Sequence, residues 1–433
     1  MIEAVQRRIE TNARRLFTPD EIGELYAPEQ VNEYARSTEM GPIVAARTQH
    51  RLGEDGSGGG FKIVEAPRNL TALEMRRLTR EQSLGLGTLM TLKGDLVHLD
   101  LPGGHGNDFG GAKGVMMVPE GMLSNRKAMN TILGDYVAEQ YAKGALGIGI
   151  DRHAPDMNTG APDMDHMART LRRITGDERS IAAFSGKSIE AGGLEGREIA
   201  TAQGLVFTLA KHLETLDMNS SEATVAVQGS GNVGYHFARL ASEQLGVKIV
   251  GISDRNRAVV TDKAHPIRMD ETVRFENRLI SSWDEDQHGS FANPDDLLGM
   301  DVDILVFAAM PDTVTEEKGN KEKIRAKVIL QGANNPMDGE AIDYLIDNRV
   351  SVVADVLGNA GGFVASNFEY NQGMTGTHWT ERMAIASLRS VMDDAYDRVR
   401  DEAENIYDFT NPAFQVALKR RYERDHSGLY LAS

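Results

Sequence analysis

The 433-residue sequence contains no cysteine. Disulfides and thiolate metal sites are thereby excluded, and a reducing interior is the easier home for such a chain. Also missing is any stretch approaching the roughly 18 uncharged apolar residues of a membrane-spanning helix. The first 20 residues mix Arg7, Arg8, Arg14 and Arg15 with Glu3 and Glu10, which reads as neither a signal peptide nor a transit peptide. A basic face is absent too: 64 acidic residues against 47 Lys and Arg leave a formal charge of -17, and acids interleave every cationic cluster. Nucleic acid, whose phosphates need such a face, is therefore not an expected partner, and nor is a membrane. The acidity also suits a salty cytoplasm, where surface carboxylate maintains solubility. A cytoplasmic protein acting on small molecules is the expectation.

The length allows two or three domains, and 41% hydrophobic residues can fill a core in each. No repeat is present. Gly56-Ser57-Gly58-Gly59-Gly60 reads as a flexible turn after an N-terminal helical segment. From about residue 60 to 195, β-like runs (Asp95 to Leu101, Gly114 to Val118) mix with helical ones (Leu70 to Leu92, Asn125 to Lys143). Beyond Gly193, a helical pattern from Glu195 to Leu216 leads into β-branched or apolar runs at Thr224 to Val227, Lys248 to Ile252, Ile304 to Phe307, Val328 to Leu330 and Val350 to Val353. Strands alternating with helices imply a doubly wound parallel sheet. After Gly362 the pattern is helical to about Arg421. The expected fold is α/β: a substrate and oligomerisation domain over 1–195, a Rossmann-type dinucleotide domain over 196–362, and helices over 363–433 returning to the first domain to close a cleft.

The sharpest motif is Gly229-Ser230-Gly231-Asn232-Val233-Gly234. A strand-like run, Thr224 to Gln228, precedes it, and a helix-like one, Tyr235 to Leu245, follows. Glycines at this spacing permit a tight turn and a close approach of backbone to pyrophosphate, whose charge then faces a helix N-terminus carrying about half a positive charge. A second strand ends at Asp254, where a carboxylate can accept bonds from an adenosine ribose. Arg255 and Arg257 follow and suit a 2′-phosphate, so both NAD and NADP stay open. Rossmann folds also serve enzymes without redox chemistry.

Chemistry has to come from the first domain. Lys93 ends a helix-like run, and Lys113 lies in Gly110-Gly111-Ala112-Lys113-Gly114 before a strand. A lysine in a partly desolvated site can polarise a carbonyl or activate water, and a second one can anchor a carboxylate. Asp156, in a proline-bearing loop, can shuttle protons. That combination suits an oxo-acid substrate and needs no metal. Arg152 and His153 just before it read as solvated charges. Methionines such as Met75, Met90, Met116 and Met117 read as core filler.

Eight segments then carry a resemblance spanning about Leu78 to Gln372. They are Leu89-Met90-Thr91-Leu92-Lys93, Gly110 to Gly114, Ala154-Pro155-Asp156-Met157-Asn158-Thr159, Phe184-Ser185-Gly186-Lys187, Ala200-Thr201-Ala202-Gln203-Gly204, Gln228 to Gly234, Gln331-Gly332-Ala333-Asn334 and Asn359-Ala360-Gly361-Gly362. In these the sequence resembles the Glu/Leu/Phe/Val dehydrogenase family, most closely its glutamate dehydrogenases. The resemblance implies reversible oxidative deamination of an L-amino acid, with hydride passing between the α-carbon and NAD or NADP. It makes Lys113 the catalytic lysine and Asp156 its proton-transfer partner. Lys93 would hold the α-carboxylate, and Thr201 and Asn334 would contact the nicotinamide end. Asn359 would line the substrate site, and Ser366 would help bind a side-chain carboxylate. A homohexamer is implied as well.

Two departures bear on the substrate. Gly58 stands where members resembling glutamate dehydrogenase carry a lysine for the side-chain carboxylate, and an unpaired carboxylate in a closing cleft would be costly. Either Lys62 substitutes or the substrate is a less acidic amino acid. The segment Gly103-Gly104-His105-Gly106-Asn107-Asp108 is an insertion between the two lysines; His105 and Asp108 invite a metal reading, but a glycine-rich surface loop is the one adopted. A non-catalytic paralogue that regulates an active subunit is the third alternative.

Overall fold

A computed structural model describes residues 27–50, 56–107, 109–269, 273–277, 279–283 and 289–430. The early arginines Arg7 to Arg15, with Glu3 and Glu10, and Asp108 lie outside the described residues. By contact the chain divides into two compact units. One comprises the described residues up to Arg197, with Phe363–Ser387 and those from Ala417 onward; the other comprises Glu198–Gly362 and Leu388–Val416.

The first unit is built on five strands: β1 (Gln30–Thr38), β2 (Gly41–Gln49), β3 (Ser57–Glu65), β4 (Gly110–Val118) and β5 (Asp151–Pro155). Their order is β1-β2-β4-β3-β5; β2 is antiparallel to both β1 and β4, and β3 is parallel to both β4 and β5. The expected glycine turn at 56–60 is thus an interior strand, and a β-hairpin occupies 30–49, while the start of the expected N-terminal helical segment lies outside the described residues. The reason is steric. A Cβ on Gly58 would press on the Arg152 guanidinium, one on Gly59 would collide with the Ala112 carbonyl, and one on Gly60 would lie 2.5 Å from Asp156 Oδ2. These glycines make room for neighbours.

The helix Ala72–Leu96 starts at Thr71, which forms a capping box with Glu74, and lies across β2 and β4. It extends past the expected end at Leu92 and takes the first residues of the expected strand Asp95 to Leu101. Val97, Leu99 and Leu101 are buried, so the alternation is real, but the segment finds no ladder partner among the described residues. On the opposite sheet face, helices Arg126–Ala142 and Ala161–Thr175 close a core of Ile43, Phe61, Met116, Leu133, Tyr136, Met164 and Phe184.

Arg47 braces this sheet from within. From β2 it reaches over β4 to form an ion pair with Asp151 and donate to the carbonyls of Gly60 (3.2 Å), Gly59 (3.3 Å) and Arg152 (2.9 Å). The crossing requires Gly114, where a Cβ would strike the Phe61 ring and lie 3.2 Å from Arg47 Nη1.

In the second unit the strands are β6 (Thr224–Gln228), β7 (Lys248–Ser253), β8 (Ala258–Thr261), the hairpin β9 (Val273–Glu276) and β10 (Leu279–Trp283), β11 (Gly289–Ala292), β12 (Ile304–Phe307), β13 (Val328–Gln331), β14 (Ser351–Val353) and β15 (Asp408–Phe409). The main sheet is ordered β11-β8-β7-β6-β12-β13-β14-β15, parallel from β7 to β15 and antiparallel at β8 and β11. Because β7 follows β6 on one side and β12 joins it on the other, the order reverses at β6, the switch point where such sheets bind ligands. After the helix Gly361–Thr375, the expected helical tail is interrupted: β15 lies between helices Glu381–Glu402 and Asn411–Tyr430 and extends the sheet. His212 ties that segment in, with Nδ1 2.9 Å from the Tyr396 hydroxyl and Nε2 2.9 Å from that of Ser351.

Two stability outcomes are expected. Arg47→Met strands the Asp151 carboxylate in the core and should lower the unfolding free energy by about 3–5 kcal/mol in urea titrations; a loss under about 1 kcal/mol would show that the brace is dispensable. Burial holds His50 near a pKa of about 4 and His153 and His212 near about 3. Unfolded imidazoles titrate near 6.5, so acid protonates the unfolded chain first. Stability present above pH 6.5 should therefore fall toward pH 4, by up to about 1.4 kcal/mol per unit for each histidine. Equal urea midpoints at pH 7 and pH 5 would contradict this.

Candidate active site

Lys113 and Asp156 come together although one lies within β4 and the other just past the end of β5. Lys113 is an interior residue of β4, its carbonyl accepting from the Ser83 hydroxyl at 2.6 Å. Asp156 follows β5 in a turn folded back on β3: the Thr159 hydroxyl donates to the Phe61 carbonyl at 2.8 Å, and Asn158, at a φ of 59°, donates to that of Ile63 at 2.9 Å. The Lys113 ammonium then forms an ion pair with Asp156 Oδ2, with the lysine side chain 2% and the aspartate 26% exposed. Burial alone would raise the Asp156 carboxyl. The Lys113 ammonium, with the Met157 N–H and Lys62, holds it below the usual carboxylate range instead. Gly60 faces the pair, and a Cβ there would lie 3.0 Å from Lys113 Nζ. Lys62, two residues on and half-buried, is pushed down by burial and by Lys113, with Asp156 opposing. The arrangement offers a cation and an ionised carboxylate in contact, able to stabilise an oxyanion and to move a proton.

Lys93 is buried in the last turn of the helix Ala72–Leu96. Ser366 is buried on the helix Gly361–Thr375, where its hydroxyl receives bonds from Ser185 (3.1 Å) and Arg197 Nη2 (2.9 Å). One turn on, Glu369 accepts from Lys187 Nζ (2.6 Å) and the Gly186 N–H (2.7 Å). Arg152 and His153 are not solvated: both are buried, His153 beside the Tyr136 hydroxyl at 3.0 Å and Arg152 with its guanidinium 4.0 Å from the Phe109 ring centroid. Sequence reasoning missed Arg152, Arg197 and the Lys187–Glu369 pair. Only the apolar neighbours Ala154 and Pro155 hinted that 151–155 is an interior strand. The inserted loop is tied down, Asn371 Nδ2 donating to the carbonyls of Pro102 and His105 at 2.8 Å each. Among the described residues, no three His, Asp or Glu side chains gather to hold a metal.

In the second unit the glycine loop joins β6 to the helix Asn232–Leu245, capped by Gly231. Gly229 has a φ of 103°, and a Cβ there would lie 2.8 Å from that of Ala309. A Cβ on Gly234 would collide with the Gly229 carbonyl. Gly231 differs, because nothing lies within 4 Å of where its Cβ would be. The packing itself does not demand glycine there, and the open space is what an approaching pyrophosphate would use. Ser230 is buried, Asn232 donates to the Glu198 carbonyl at 2.7 Å, and Val233 packs near Gly332. Thr201 lies in the first turn of the helix Ala200–Thr215. Asn359 Nδ2 donates to Asn334 Oδ1 at 3.0 Å, while Asn359 Oδ1 is buried without a partner. A cradle open at Gly231 and an orphaned amide oxygen fit a dinucleotide. Asp254 spends both oxygens on backbone: Oδ1 accepts from Asn256 (2.6 Å) and Arg257 (2.9 Å), and Oδ2 from Ile280 (2.7 Å). Arg255 beside it is exposed, and Arg257 lies 5.1 Å from the Phe291 ring centroid.

Comparison with known proteins agrees with this layout. Residues 43–173 match the family described as Glu/Leu/Phe/Val dehydrogenase, dimerisation domain, and residues 192–426 match Glutamate/Leucine/Phenylalanine/Valine dehydrogenase. The NADP-specific glutamate dehydrogenase A1 of Halobacterium salinarum is 32% identical over 345 residues, 79% of each chain. The NAD-specific glutamate dehydrogenase A of the same organism is 33% identical over 353 residues, 79% of this chain and 75% of its own. A solved hetero-hexameric glutamate dehydrogenase from Thermus thermophilus, in a Leu bound form, superposes with a TM-score of 0.80 at 23% identity, covering 96% of this chain and 94% of that one.

Gly231→Val, whose added Cβ meets nothing within 4 Å, should leave the circular dichroism of the chain intact but weaken binding of a nicotinamide dinucleotide at least about tenfold in a fluorescence titration, by filling the space a pyrophosphate needs to approach the backbone. Unchanged affinity would show that the loop is not the phosphate site.

Proposed function

The chain belongs to the Glu/Leu/Phe/Val dehydrogenase family, and from that premise we propose that it catalyses reversible NAD(P)-dependent oxidative deamination of L-glutamate to 2-oxoglutarate and ammonia. The observation that carries the reading is the Lys113–Asp156 ion pair seated against Gly60. A bound NAD(P) supplies the hydride acceptor. Lys93 holds the substrate α-carboxylate. Lys113 stabilises the oxygen of the carbinolamine formed when ammonia adds to the 2-oxo acid, and Asp156, kept ionised by Lys113, takes a proton from nitrogen and delivers one to the departing oxygen. Asn359 and Ser366 line the substrate site, and Thr201 and Asn334 meet the nicotinamide end. The intact pair speaks against a non-catalytic regulatory subunit. Lys62, near Asp156 and Lys113, is part of this proton-handling group.

The relatives include both NAD- and NADP-specific enzymes at similar identity, so the phosphate side must choose. A carboxylate has about four acceptor positions, and backbone N–H groups fill three of those on Asp254, while Arg255 stands exposed beside it. That favours a 2′-phosphate, hence NADP(H). A cytoplasmic homohexamer is the proposed assembly; the dimerisation-domain match and the hetero-hexameric relative support a hexamer.

Purified protein is expected to oxidise NADPH only when both 2-oxoglutarate and ammonium are present, and Lys113→Ala to lose this by at least about a thousandfold. No turnover with either NADPH or NADH would sink the reading. Tighter NADH than NADPH binding would reverse the cofactor preference, and a monomer in light scattering would refute the assembly.

A further inference from the structure

Gly58 leaves open which cation meets the side-chain carboxylate of the substrate. The register of the sheet answers this, since β3 pairs with β5 so that Gly58 stands opposite Arg152. A Cβ on Gly58 would lie 2.8 Å from Arg152 Nη2, 3.1 Å from Nε and 3.2 Å from Cζ. The guanidinium therefore fills the space that any side chain at position 58 would take.

This guanidinium is 1% exposed, and its Nε and Nη1 have no hydrogen-bond partner. It stacks on Phe109 and lies 5.8 Å from the Tyr370 ring centroid. A buried cation with orphaned donors costs several kcal/mol unless something pairs with it. The nearby acids are committed: Asp151 belongs to Arg47 on the other face, and Glu369 is held by Lys187 and the Gly186 N–H. Arg197 is in the same state, with Nη2 on the Ser366 hydroxyl and a buried Nε lacking a partner. Arg152 and Arg197 thus lie in the field of Glu369, a carboxylate already paired with Lys187. The deficit is anionic. It is also well placed, because Gly58 and Gly60 lie two residues apart on β3, about 7 Å, and Gly60 abuts the Lys113–Asp156 pair. A short dicarboxylate reacting at Lys113 can set its far carboxylate at Arg152.

We propose that Arg152, seated over Gly58, binds the distal carboxylate of a dicarboxylic amino-acid or 2-oxo-acid substrate and thereby makes the site selective for acidic side chains. The proposal rests on the dehydrogenase reading above. Ser366, positioned by Arg197, offers a hydroxyl to the same group, and the fork of the guanidinium suits a carboxylate bidentately.

The test compares 2-oxoglutarate with 2-oxohexanoate, an uncharged-chain analogue, in wild-type protein, Arg152→Met and Gly58→Ala. Arg152→Met should cut kcat/KM for 2-oxoglutarate by about a hundredfold while 2-oxohexanoate is unchanged or improved. Gly58→Ala moves only the end of a flexible side chain, keeps the fold, and should raise KM for 2-oxoglutarate selectively. Calorimetry with glutarate, an inert dicarboxylate, should show binding to the wild type and a similar loss in both variants. Equal losses for the two substrates, or undiminished glutarate binding and dicarboxylate preference in Gly58→Ala, would overturn the assignment. Wild-type protein inactive with every 2-oxo acid would instead overturn the dehydrogenase reading, leaving glutarate binding to judge Arg152.

Discussion

The first unit depends on Arg47. Its guanidinium carries an ion pair with Asp151 and three backbone carbonyls, so one buried cation fixes the relative positions of β2, β3 and β5. Such a group is tolerable in a core only when every donor is used. Here the Ser57 hydroxyl adds a bond to Asp151 at 2.9 Å and completes the set. The consequence is a rigid β3 whose three consecutive glycines leave space on the working face. That space is taken by Arg152 at Gly58 and by the Lys113–Asp156 pair at Gly60. Structural and chemical charges are thus sorted: Arg47 and Asp151 neutralise each other on one face of the strands, while the other keeps a surplus of cations for substrate.

The second unit solves a different problem by local means. A strand, three glycines and a helix follow one another in sequence, so the geometry needed to cradle a pyrophosphate is assembled within a dozen residues. Gly229 and Gly234 serve the fold, since each has a backbone or side-chain neighbour where a Cβ would go, and Gly231 leaves open space. Asp254 has a second, structural part to play. Its position matches a ribose-binding acid, but it closes a turn on Asn256 and Arg257 and anchors the strand Leu279–Trp283.

What was legible follows the same division. Apolar runs located β6, β7, β12, β13 and β14 within a residue, because each is a continuous buried run, whereas β8 to β11 and the helix Gly339–Asp347 went unread. The helical tail was read without β15, a two-residue strand too short to leave a period. In the first unit, Lys113 and Asp156 stood out only through resemblance to a family, since a lone lysine or aspartate is usually a surface charge. Gly56 to Gly60 was misread because composition does not distinguish a glycine that bends the chain from one that yields space. Arg152 was misread because its burial is created by Phe109 and Tyr370, far away along the chain.

The amino-acid sequence by itself determined the fold class, the family and the absence of thiol chemistry, and it singled out the glycine loop, Lys113 and Asp156 as candidates, all of which rest on local patterns or on matched motifs. Only the tertiary structure decided that the glycine run is a strand, that Asp254 is engaged by backbone, and that an arginine faces Gly58. These depend on strand register and on which distant side chain fills a given space. Long-range packing sets both, and no local pattern encodes it.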